Sequence, residues 1–123
     1  RATMREGTIE RARELGRLLG QTDEYQALTR ARKALAEDRE LTALLNRLAE
    51  LDSRMVQSLQ RGEAPAAQDQ SEYEENFTKV QASPVYQALV AAQSNFERVL
   101  KRVNDEIAKG IEAGAQSRII LPS

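Results

Sequence analysis

Residues 83–107 read SPVYQALVAAQSNFERVLKRVNDEI, and this stretch decides the fold class. Val85, Leu89, Ala92, Phe96, Val99, Val103 and Ile107 recur at gaps of four and three, so they line one side of a single helix. Ser83 suits the N-cap, and Pro84 suits the first helical position, where a missing N–H loses no intrahelical bond. At 1.5 Å per residue such a helix runs roughly 40 Å. A compact globule of this length has a radius of gyration of about 14 Å and a diameter of roughly 35 Å. The helix is therefore as long as the whole protein is expected to be wide. That points to an elongated helical protein built for contact with other helices.

Earlier segments repeat the same period. Thr3 with Glu6, or Thr8, is a candidate cap for a first helix with Ile9, Ala12, Leu15, Gly16 and Leu19 on its apolar face, stopped at Gly20. Thr22 or Asp23 opens a second, with Tyr25, Leu28, Ala31, Arg32 and Leu35 along one side. Asp38 reads as a cap or a bend. Beyond it Leu41, Leu44, Leu48, Leu51 and Met55 keep three-four spacing, widened by Leu45 and Leu59. A linker is expected at about 62–68, around Pro65. Asp69-Gln-Ser-Glu72 has the spacing of a capping box for a short fourth helix faced by Tyr73, Phe77 and Val80. Gly110 and Gly114 are expected to end the last helix, leaving an apolar tail at 115–123. The expectation is one all-α domain over 1–123: an elongated helical hairpin or bundle of about five helices. Its two long arms are 38–61 and 83–112, and it self-associates.

Composition narrows the function. The 123 residues include no cysteine and no histidine. That removes disulfides, thiolate zinc sites, cysteine-ligated clusters and the usual proton shuttle near neutral pH. Serines and threonines sit as caps or surface residues, without a glycine elbow or partnered base. Gly16 and Gly20 make no phosphate loop, since no strand precedes them and no lysine follows. No catalytic centre and no cofactor are expected. Asp69, Glu72, Glu74 and Glu75 have the chemistry to collect a hard cation, but a solvated helix N-terminus explains them and no metal site is expected. With a net charge of −1 and no basic cluster, the chain is a poor candidate for direct nucleic-acid binding. Arg11, Arg13, Arg17, Arg30, Arg32, Lys33 and Arg39 are interleaved with Glu10, Glu14, Asp23, Glu24 and Glu37, which reads as ordinary helix-surface pairing. Neither a membrane span nor a secretory signal is legible, so a cytoplasmic location is expected.

The candidate functional residues are therefore apolar. Tyr86, Val90, Leu100 and Ile111 give the last helix a second side to bury, more than one short chain can cover. Leu89, Phe96, Val99, Val103 and Ile107, with Leu48 and Leu51, form the expected interface for self-association or a partner. Ile119, Ile120 and Leu121 form a candidate docking tail.

The order of residues also carries a resemblance. Ala12-Arg-Glu-Leu-Gly16-Arg-Leu-Leu-Gly20-Gln-Thr-Asp-Glu-Tyr25 resembles the opening of the YlbF/YmcA family of small bacterial regulators. Ala31-Arg-Lys-Ala-Leu35-Ala-Glu-Asp38-Arg-Glu40 is similar to its next stretch, and Ser83 to Leu89, Asn95-Phe96 and Val103 to Ile107 to its last long helix. The likeness covers roughly residues 6–114. It implies an all-helical, self-associating, non-enzymatic partner protein, often a dimer. Some members join a larger complex that affects competence, sporulation, biofilm formation and RNA processing, in which cysteines hold iron–sulfur clusters. This chain has no cysteine for that role, so the resemblance implies a homo-oligomeric relative, with another bacterial regulatory protein as a second kind of partner. The rival expectation is a small holdase chaperone whose helical arms clasp unfolded clients. The small, polar and acidic segment from Gln60 to Asp69 favours the adaptor.

Overall fold

The computed structural model describes the backbone of residues 4–120 and the side chains of 5–117. The protein is all-α. Five helices follow in order: α1 Met4–Gly20, α2 Asp23–Glu37, α3 Arg39–Gln60, α4 Ala67–Ala82 and α5 Pro84–Ile120. The described residues form two compact units, one of residues 27–91 and one of the segments up to Gln26 and from Ala92 onward.

The helix starts follow local chemistry. The Thr22 hydroxyl accepts from the Tyr25 amide at 3.1 Å, an Asp38 carboxylate oxygen from the Leu41 amide at 3.0 Å, and the Ser83 hydroxyl from the Tyr86 amide at 3.2 Å. Each satisfies one of the amides that a helix N-terminus leaves without a partner. Helix α3 stops at a Schellman turn: the Gly62 amide donates to the Leu59 carbonyl and the Glu63 amide to the Ser58 carbonyl. Gly62 takes φ +74°, the left-handed conformation this turn requires at that position.

In the unit spanning 27–91, the short connection sends the chain straight back, and α4 packs antiparallel along α3. Leu41, Leu48 and Val80 make the seam, flanked by Leu35, Leu44, Leu45, Tyr73, Val85 and Tyr86. Leu51 and Val80 are essentially sealed from solvent, and Leu28, Ala31 and Leu89 are also buried. The helix packed along α3 is thus α4. Helix α5 reaches this cluster through its first turn, at Val85 and Tyr86.

Four local expectations are corrected. Helix α4 begins at Ala67 behind an Ala66 cap with no side-chain bond, so Asp69 lies inside the first turn and caps nothing. Phe77 stays 41 % exposed, stacked on Tyr73 at 6.1 Å between ring centroids. Gly110 and Gly114 do not stop α5, which continues to Ile120, because neither adopts positive φ and good helix formers surround both. Thr8 lies within α1, and Thr3 falls outside the described residues.

In the other unit, α1 leaves Ile9 and Leu18 exposed and half-buries Leu15 and Leu19. Tyr25 meets Phe96 edge to face, with ring centroids 5.1 Å apart.

Candidate interaction surface

The second half of α5 carries the candidate surface. Phe96, Val99 and Val103 are half-buried, whereas Leu100, Ile107 and Ile111 are 36 %, 46 % and 68 % exposed. At 100° per residue, Phe96, Leu100, Val103, Ile107 and Ile111 fall within one side of the helix, in line with Gly110 and Gly114. A Cβ built on either glycine meets no atom within 4 Å, so nothing in the chain itself requires them. Lys101–Asp105 and Glu106–Lys109 ion pairs, each at 3.1 Å, occupy the polar remainder of the helix.

The other expected interface residues have different surroundings. Leu48, Leu51 and Leu89 are buried within their own chain, in the 27–91 unit, where α4 packs along α3. Ile119 and Ile120 continue the α5 backbone, but their side chains, like the whole of Leu121, lie outside the described residues.

The acidic start of α4 is engaged by α3. Arg47 donates from Nε to Glu72 Oε2 at 2.6 Å and from Nη2 to Oε1 at 2.8 Å, a two-point pair of the strong, directional kind. Arg47 also lies 3.1 Å from Glu50, and Arg54 pairs with Glu50 and with Asp69 at 3.5 and 3.3 Å. The Arg47 hydrogen bond holds the Glu72 carboxyl below its ordinary range, and the same bond raises Arg47 above its own. Asp69 and Glu72 therefore act as fasteners of the hairpin rather than as a solvated helix end. Among the described residues, no group of three or more acidic side chains is arranged to hold a metal ion. Arg47 and Arg54 stand seven residues apart on one face of α3, opposite acids that follow a short connection, and that pattern was present in the sequence.

An open depression of about 360 Å³ lies at the other end of the hairpin. Leu41, Leu44 and Pro84 give it an apolar lining, with Glu40 and Lys79 among its polar groups, while Asp38 is engaged as the α3 cap. Among the described residues, no helix is long and apolar enough to cross a membrane.

A family profile described as control of competence regulator ComK, YlbF/YmcA, matches residues 8–112. The chain belongs to the YlbF/YmcA family. Among its relatives, a UPF0342 protein of Lactobacillus acidophilus is 31% identical over 100 residues, covering 81% of this chain and 86% of its own. A UPF0342 protein of Streptococcus mutans is 30% identical over 105 residues, covering 80% and 93%. One from Leuconostoc mesenteroides is 26% identical over 110 residues, covering 89% and 93%. The resemblance read from dispersed helix positions is thereby established, and this YlbF/YmcA protein is a helical member of a regulatory family.

Proposed function

We propose that this YlbF/YmcA protein is a cytoplasmic, non-enzymatic adaptor or regulatory subunit that works as a homodimer. Its processes are those the family description and resemblance suggest, competence control foremost among them. The observation that carries this is the second half of α5. It presents Leu100, Ile107 and Ile111 to solvent in line with the half-covered Phe96 and Val103. A contiguous apolar stripe on a long helix is stable in water when another helix covers it.

Replacing Val103 with Asp tests the reading. A charge placed in a buried contact without a partner costs several kcal/mol. Val103 is only half-buried within one chain, so the variant is expected to remain helical and become monomeric in light scattering after size exclusion. A variant that remains dimeric contradicts the role given to α5. The holdase alternative is separated by a client-aggregation assay. The adaptor leaves aggregation of a heat-unfolded client unchanged at equimolar concentration, and strong suppression favours the chaperone.

A further inference from the structure

Within the apolar side of α5, five positions, not including Leu100 and Ile111, have a spacing that is the same read in either direction from Val103. Phe96, Val99, Val103, Ile107 and Gly110 are separated by three, four, four and three residues. A helix with such spacing presents the same pattern after rotation about a twofold axis through its central residue. In an antiparallel pair centred there, Val103 meets Val103, Val99 meets Ile107, and the large ring of Phe96 lies over Gly110 of the second copy. This assigns a use to a glycine that no atom of its own chain crowds.

Charge fixes the direction. Residues 97–102 contain Arg98, Lys101 and Arg102 against Glu97, a net +2. Residues 105–112 contain Asp105, Glu106 and Glu112 against Lys109, a net −2. An antiparallel pair sets the positive half of each helix alongside the negative half of the other, whereas a parallel pair sets like beside like. Of these charges Arg102 and Glu106 lie nearest the seam, and the others point away from it. Arg102 and Glu106 occupy the same flank of the stripe, and in this register Arg102 of one copy is offset from Glu106 of the other by about 3 Å along the axis. Arg102 has no ion-pair partner among the described residues of its own chain.

We propose that the second copy docks antiparallel along α5, about a twofold axis at Val103, with reciprocal Arg102–Glu106 pairs beside the seam. The arrangement presupposes the self-association proposed above and adds its register and direction.

Because the chain has no cysteine, single-cysteine cross-linking reads the register cleanly. Val103→Cys places two thiols at the axis, within disulfide reach of closely packed helices. Ile111→Cys places them sixteen residues apart in register, roughly 24 Å. Under mild oxidation, Val103→Cys is expected to run largely as a covalent dimer while Ile111→Cys stays single. Arg102→Glu is expected to weaken the dimer on the order of tenfold, and adding Glu106→Arg to restore it.

Equal cross-linking of both cysteine variants indicates a parallel pair and overturns the proposal. So does failure of Val103→Cys to cross-link when the wild type is dimeric, or a double variant no tighter than Arg102→Glu alone. Each of these leaves self-association standing. A wild type that is monomeric at about 100 μM, far above the Kd of a stable dimer, removes both.

Discussion

Arg47 and Glu72, one on α3 and one on α4, close the hairpin with two parallel hydrogen bonds of 2.6 and 2.8 Å. Both side chains keep about a third of their surface in solvent, so the pair is screened by salt and aligns the helices more than it holds them together.

Its pH signature follows from the lowered pKa of Glu72. A carboxyl whose folded pKa lies below its unfolded one stabilises the fold above the unfolded value and loses that contribution as pH falls through the folded one. Acidification below the ordinary glutamate value of about 4.5 is therefore expected to weaken the hairpin. Glu72→Gln removes this component, so its stability declines less steeply in acid than that of the wild type. Urea midpoints between neutral pH and pH 3 check this, and identical acid slopes for the two proteins contradict it.

The apolar seam carries the stability. Leu51 is 0 % exposed, so Leu51→Ala removes a fully packed side chain and is expected to destabilise by about 2–5 kcal/mol. Leu59 is 63 % exposed on the same helix, and Leu59→Ala is expected to change stability by roughly 0.5 kcal/mol or less. Chemical denaturation of the two variants side by side makes the comparison. Equal losses contradict the burial pattern.

Much of this architecture was legible in the residues. Three caps, at Thr22, Asp38 and Ser83, were readable because each combines a short oxygen-bearing side chain with the start of an apolar period. The stripe at Leu41, Leu48 and Leu51 was readable as well. What it packs against was not, since three-four spacing specifies a face and names no partner. Both α4 and α5 offered one, and the short connection decided for α4. The start of α4 was misplaced because Asp69 and Glu72 have capping-box spacing yet turn toward Arg54 and Arg47. On α5, the apolar period marked Phe96, Val103 and Ile107 correctly as one face, and only burial within the chain separated them from Leu48, Leu51 and Leu89.

The turn after α3 gives a prediction of its own. Gly62 has φ +74°, and a Cβ there meets nothing within 4 Å, so Gly62→Ala introduces conformational strain without a clash. The expected loss is about 1–2 kcal/mol. Gly62→Asn is expected to lose less, because asparagine tolerates the left-handed region. An alanine variant as stable as the wild type contradicts the turn geometry.

The central claim is that the second half of α5 is covered by another copy of the chain, and the mass of the protein in solution tests it most directly. Sedimentation equilibrium of the wild type at micromolar concentration is expected to return twice the 13.8 kDa of one chain. A mass of 13.8 kDa at every concentration, with helicity intact, contradicts the account.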